Sequence, residues 1–311
     1  MPTVTSRRAW RALILPAIRL RSLLLAAVFV LVALAVPACA DQTVLYDKPS
    51  RFGSIIVTED ENGLRTLRFG QSGARQSVVK PGDPEYLGLS YVKVMFVGLA
   101  LCEEPRRILI VGLGGGTLPM FLRRHYPHAA IDAVDIDPQV VHVAKEFFDF
   151  REDERMRAHV GDGRQFIEKS RQPYDAIFLD AYGAEEVPAH LTTQEFLQAV
   201  RRAVKPGGVV VSNIWARSSN PLYDSMVRTY QEVFEELFDL DVHGTGNRIL
   251  LALPRRQPLS RDELAQRARG VSSAKQFRFD LGDLVTYGYS RAQAKNQDGR
   301  VLRDADLRRP K

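Results

Sequence analysis

Ile108-Leu-Ile-Val111, Gly112-Leu-Gly114-Gly-Gly116 and Ile131-Asp-Ala-Val-Asp135 decide the fold. Four consecutive apolar residues spell a strand buried on both faces, as a parallel strand must be. The glycines that follow spell a tight turn into a helix over about 117–126, and the second strand ends on a carboxylate about twenty residues beyond the turn. Strand, glycine turn, helix, strand is the unit from which a mostly parallel sheet covered by helices is built.

The same rhythm continues downstream. Strands are expected at 157–160, 174–180 and 209–213, and helices at about 138–148, 164–170, 193–204 and 221–238. Two late strands near 239–243 and 248–253, joined by His243-Gly-Thr-Gly246, spell a terminal antiparallel hairpin. Upstream, Ser54-Ile-Ile-Val-Thr58 and Leu64-Arg-Thr-Leu-Arg-Phe69 flank Glu59-Asp-Glu-Asn-Gly63, an Asn-Gly hairpin signal, and Gln76-Ser-Val-Val79 supplies a third short strand. A helix with a broad apolar face is expected over 86–101. The chain thus divides into a leader at 1–40, a small β-rich region with a helix at 41–101, an α/β body at 102–254 and a basic tail at 255–311, half ordered at best.

The 311 residues are 45% hydrophobic and 26% charged with two cysteines, which excludes collagen, a disulfide scaffold and wholesale disorder. The formal net charge is +6, but the basic residues sit at the ends. Residues 1–40 carry five arginines and no acid, residues 254–311 carry 14 basic against seven acidic groups, and the body between them carries 24 basic against 30 acidic groups. An acidic body between basic ends does not make a phosphate-tracking groove, so a nucleic-acid partner is not expected. It suits a cationic small substrate. Neither Cys39 nor Cys102 belongs to a cluster with metal-ligand spacing, and no metal is expected.

Arg7, Arg8, Arg11, Arg19 and Arg21 precede an uncharged stretch over 22–40 that ends in Ala38-Cys39-Ala40. A positive flank, an apolar run and small residues form a secretory signal or, if retained, a membrane anchor. Cys39 also lies in a lipoprotein-like box, and Ser6-Arg7-Arg8 resembles a twin-arginine signal. The body is therefore expected on the outer face of a membrane or exported, or in the cytoplasm if the start site lies further along.

Acids close successive strands. Asp135 suits the hydroxyls of a ribose. Asp162, in Gly161-Asp162-Gly163, suits an adenine amino group, with Gly163 leaving room for the ring; a plain helix cap at that turn is the alternative. Asp180, in Phe178-Leu-Asp180, lies at the carboxyl edge where open α/β sheets bind ligands. The glycine turn lacks the third glycine of a dinucleotide loop, since Thr117 stands there, which suits a nucleoside without pyrophosphate.

With these motifs the sequence resembles the spermidine synthase (polyamine aminopropyltransferase) family, a branch of the class I adenosylmethionine-dependent methyltransferase fold. The resemblance begins near Gln76 and is strongest over 108–208. It implies a Rossmann-like α/β sheet with a terminal antiparallel hairpin, preceded by a small N-terminal β domain. It implies that Gly112, Gly114, Gly116, Asp135, Asp162 and Gly163 bind the nucleoside, and that Asp180 accepts the proton of an attacking amine. It places Tyr86, Tyr182 and Asn213 at the amine substrate and makes 188–191 the segment that closes the site. The co-substrate would be decarboxylated S-adenosylmethionine, or S-adenosylmethionine itself, with no permanently bound cofactor; the partner would be a diamine such as putrescine, and the assembly a homo-oligomer.

Three positions depart from the family pattern. Gly115 stands where the family has an Asp that holds the nucleoside's amino group, Gly183 replaces a second acid three residues beyond Asp180, and His243 stands where an aromatic substrate contact is expected. The nucleoside half is intact while the diamine half has lost charge. Two alternatives therefore stay open: methyl transfer from S-adenosylmethionine to a small molecule, and an inactive exported binding protein of the same fold.

Overall fold

A computed structural model describes residues 42–71, 73–182, 187–291 and 295–308. The leader expected over 1–40 and the substituted position Gly183 lie outside them. No helix among the described residues is long and apolar enough to cross a membrane.

The N-terminal region is a four-stranded antiparallel meander of β1 (Thr43–Ser50), β2 (Gly53–Glu59), β3 (Arg65–Phe69) and β4 (Arg75–Val79). The Asn-Gly turn forms where the sequence places it. Asp60 accepts the backbone N–H groups of Asn62 and Leu64 at 2.9 Å each, and Gly63 takes the left-handed conformation at φ 71°. Strand β1 has no signature in the sequence, because most of its residues are exposed and show no clean alternation.

The chain then forms the short helix α1 (Ser90–Met95), which tightens into a 3-10 turn over Phe96–Leu101. This differs from the single helix expected over 86–101. Gly98 lies so close to β9 (Val204–Trp215) that a Cβ there would overlap the Val211 side chain, and the backbone winds more tightly under the sheet.

The second sheet has eight strands. With β5 (Arg107–Val111), β6 (Ala130–Asp135), β7 (Met156–Val160), β8 (Tyr174–Leu179), β10 (Glu236–Asp241), β11 (Asn247–Leu253) and β12 (Tyr289–Arg291), its order is β12-β10-β11-β9-β8-β5-β6-β7. Strands β7, β6, β5, β8 and β9 are parallel; β11, β10 and β12 continue the sheet antiparallel. The order reverses beside β5, which opens a crevice at its carboxyl end. The helices are α2 (Thr117–His125), α3 (Pro138–Phe147), α4 (Gly163–Lys169), α5 (Gln194–Ala203) and α6 (Tyr223–Val233). They cover two faces, and each face has its own apolar core, one around Ile108, Ile110 and Phe178, the other around Leu109, Ile177 and Leu197.

Helix α6 stops at Val233, not at the expected 238, because Leu237 and Phe238 are buried in β10, where alternate residues enter opposite cores. The segment after Pro254 is more ordered than the half-ordered tail expected. A reciprocal capping box of Ser260 and Glu263 starts α7 (Arg261–Ala274). Helix α8 (Leu281–Gly288) follows and leads into β12, which pairs with β10. Leu264, Ala268, Leu281 and Val285 are fully buried, so the basic groups decorate an element that is packed.

Candidate active site

The crevice at the end of β5 is closed by turns from four parallel strands and roofed by the N-terminal sheet. Gly112 continues the β5 hydrogen bonding, donating to the Val134 carbonyl at 2.8 Å while Val111 accepts from the Asp180 N–H at 2.8 Å. Its φ is 98°, and a Cβ would overlap the Asp180 carbonyl, so only glycine lets β5 and β8 end this close together. The cavity they enclose has a volume of about 250 Å³.

Asp135, Asp162 and Asp180 all line this one cavity. Asp135 accepts the backbone N–H of Leu113 at 2.9 Å through Oδ2 and that of Asp137 at 3.0 Å through Oδ1. Burial raises its pKa, opposed by those N–H groups. Each oxygen retains a lone pair, as a ribose hydroxyl would require. Asp137 caps α3, as Pro138 in the first turn suggests, through the Gln139 N–H at 2.9 Å.

Asp162 caps its helix and also lines the cavity. Oδ1 caps α4 through the Gln165 N–H at 2.9 Å, and Oδ2 meets His190 Nε2 at 2.9 Å. Gly163 is also required, since a Cβ would overlap the Val111 side chain. Pro188, His190 and Leu191 line the same wall.

Asp180 is held on both oxygens. Its Oδ1 accepts from Asn213 Nδ2 at 2.9 Å and its Oδ2 from the Tyr91 hydroxyl at 3.1 Å. Asn213 is fixed in turn, because its own Oδ1 accepts from Asn247 Nδ2 at 2.9 Å. Burial pushes the Asp180 carboxyl up to about 7, against the two donors that favour its charge. Burial and the adjacent Asp180 charge hold the Tyr91 phenol well above its ordinary value, so it donates. Tyr182 lines the cavity beside Asp180, and its hydroxyl is buried with no hydrogen-bond partner among the described residues.

Several expected site residues lie elsewhere. Tyr86 does not line the cavity; the tyrosine that reaches the Asp180 carboxylate is Tyr91, five residues on, which no motif in the sequence marks. Asn213 stands behind Asp180, outside the lining. Gly116 also lies off the cavity, at the left-handed start of α2 with φ 77°, packed against Phe150. His243 is exposed on the β10–β11 turn against Tyr287, away from the site. At Gly115 a Cβ would come within 3.0 Å of Ser77 and 3.1 Å of Phe148, and its N–H donates to Ser77 Oγ at 2.8 Å. That position is filled by packing and cannot present an acid without displacing both neighbours. Among the described residues no lysine or arginine lines the cavity, while Asp135, Asp137, Asp162 and Asp180 do.

The cavity thus sets one carboxylate, held on both oxygens, beside three others. A family model described as the spermine/spermidine synthase domain matches residues 90–239. A polyamine aminopropyltransferase from Vibrio vulnificus is 35% identical over 241 residues, which is 75% of this chain and 79% of the relative. An eEF1A lysine and N-terminal methyltransferase from Bos taurus is 36% identical over 208 residues, 61% of this chain but 30% of that protein. The crystal structure of a probable spermidine synthase from Corynebacterium glutamicum shares the fold, with a TM-score of 0.68 at 20% identity over 84% of this chain and 97% of that one. A bacterial relative this similar, matched over most of its own length, makes this chain a member of the spermine/spermidine synthase family.

Proposed function

We propose that the protein is an aminopropyltransferase of polyamine biosynthesis, moving the aminopropyl group of decarboxylated S-adenosylmethionine to a diamine such as putrescine. The observation that carries this reading is Asp180, half-buried, held on both oxygens and facing a cavity lined, among the described residues, by carboxylates alone among charged side chains of fixed sign. Decarboxylated S-adenosylmethionine carries two positive groups and the diamine two more, which matches that lining.

The nitrogen lone pair of the diamine attacks the methylene next to the sulfonium. A carbon–nitrogen bond forms, the carbon–sulfur bond breaks with its electron pair going to sulfur, and a neutral thioether leaves without need of an acid. The obstacle is the amine, which is protonated at neutral pH, since an alkylammonium group in water has a pKa of about 10.4. An ordinary carboxylate would receive its proton at a cost of about 9 kcal/mol, whereas one raised to about 7 receives it at about 5 kcal/mol. Burial of Asp180 therefore lowers the barrier to deprotonation. The remaining acceleration comes from aligning nitrogen, carbon and sulfur.

Asp180→Asn keeps the shape and loses the base. It is expected to lower kcat by about 10²–10⁴-fold while 5′-methylthioadenosine still binds; unchanged turnover would remove Asp180 from its role. A second reading, methyl transfer from intact S-adenosylmethionine, is favoured by Gly115, since a glycine loop without an acid does not repel the methionine carboxylate. Calorimetry with the two nucleosides separates them, and a clear preference for the carboxylated form selects the second. The arginines and apolar run of 1–40 support an exported or membrane-anchored location, and the family supports a homo-oligomer.

A further inference from the structure

Residues 300–308 fold back over the helices beside the nucleoside wall and end against it. Leu302 is 6% exposed; its N–H donates to Thr229 Oγ1 of α6 at 3.0 Å, and its carbonyl accepts from the Gln194 N–H at the start of α5 at 2.8 Å. The Asp304 N–H donates to Glu195 at 3.0 Å. Asp304 then accepts both arms of the Arg164 guanidinium, at 2.8 and 2.6 Å. A bidentate fork fixes the plane of the guanidinium as well as its position. From that position Arg164 Nη1 donates to the His190 carbonyl at 3.3 Å, and the His190 ring meets Asp162 at 2.9 Å.

The result is an unbroken chain from Asp304 through Arg164 and His190 to Asp162, the last two of which line the cavity. Arg164 has a second partner, since its Nε donates to Glu168 one turn along α4 at 2.9 Å while both Nη groups hold Asp304. Without Asp304 the guanidinium keeps the Glu168 tie at Nε but loses the fork that fixes its plane, and it is free to turn away from the His190 carbonyl. The His190 side chain is 38% exposed, so little else restrains it. None of 300–308 falls within the matched family domain, 90–239.

We infer that this C-terminal strap is a positioning device for the nucleoside, and that Asp304, acting through Arg164, holds the His190–Asp162 wall in place. The inference rests on the nucleoside site proposed above. In the full-length protein, Asp304→Asn is expected to raise the Kd for 5′-methylthioadenosine, measured by calorimetry, about tenfold, with the KM for putrescine held within about twofold. Asp304→Glu, which keeps the fork, should stay within about threefold of wild type. Arg164→Lys, which keeps the charge and loses the fork, should behave like Asp304→Asn. Adding His190→Ala to Asp304→Asn should weaken binding little further, because both changes cut one chain. The inference is overturned if Asp304→Asn leaves nucleoside binding unchanged, if the nucleoside and putrescine constants rise together, or if both strap variants unfold at assay temperature, which would make the tie merely structural. A wild-type protein that takes up no nucleoside would instead overturn the site itself, and the strap's role with it.

Discussion

At the scale of single residues, the environment of Asp180 converts a weak base into a serviceable one. Its carboxyl is largely withdrawn from solvent at the cavity wall, which penalises the charged form, and Tyr91 and Asn213 return part of that charge stabilisation. The acid must be ionised to take a proton, so activity should rise with pH through a limb near 7. Tyr91→Phe removes one of the donors that stabilise the carboxylate and therefore pushes the limb upward, by about one pH unit for a lost charge-assisted hydrogen bond. The check is kcat/KM against pH for both proteins, and a limb that stays put or moves down contradicts the assignment. The same residue shows where reading the sequence stops. Tyr86 and Tyr91 both lie in a segment of turns and short helix, and the start of α1 at Ser90 carries no side-chain cap, since Leu89 stands at the cap position. With no local signal to phase that helix, only the packed structure tells which tyrosine faces the carboxylate. Asp180 is legible because it follows the apolar run over 176–179, and Asp135 because it closes the second strand of a strand–glycine turn–helix–strand unit; Asp162, two residues beyond the polar strand β7, is marked only by the glycines on either side of it.

At the scale of elements, the β5–α2 turn joins fold to site. The glycines are visible in sequence, but their separate reasons are not. Gly112 lets two strands end side by side, Gly116 starts α2 against Phe150, and Gly115 makes room for Ser77 and Phe148. Gly112→Ala adds both a positive-φ strain and an overlap with rigid backbone, and is expected to cost about 3 kcal/mol or more and to abolish nucleoside binding. Gly207→Ala is the fitting control, because nothing lies within 4 Å of its Cβ, and it should cost less than about 1 kcal/mol. Urea denaturation of the two variants checks the contrast, and equal costs would deny the close approach of β5 and β8. The C-terminal helices show the opposite failure of reading. Ser260 and Glu263 announce a helix start, yet the surrounding charge suggests a tail, and the three-residue strand β12 is too short to leave any periodicity.

At the scale of the whole molecule, charge is divided by region, and the division matches the chemistry. The body over 41–253 carries six more acidic than basic groups, and the cavity within it is lined by carboxylates with no lysine or arginine among the described residues. A low-dielectric crevice focuses that field and raises the local concentration of a polycation before any specific contact forms. Added salt shortens the reach of the field from about 10 Å at 0.1 M to about 3 Å at 1 M. Capture of the diamine should therefore weaken with salt while the alignment of bound groups, which are screened much less, should not. Raising ionic strength from about 0.05 to 0.5 M is expected to increase the KM for putrescine several-fold with kcat nearly constant. A neutral nucleoside such as 5′-methylthioadenosine serves as the internal comparison, since its Kd should barely respond. If KM for putrescine is flat across that range, or if the neutral nucleoside responds as strongly, the acidic body is not steering a cation and the excess of carboxylates at the site has some other cause.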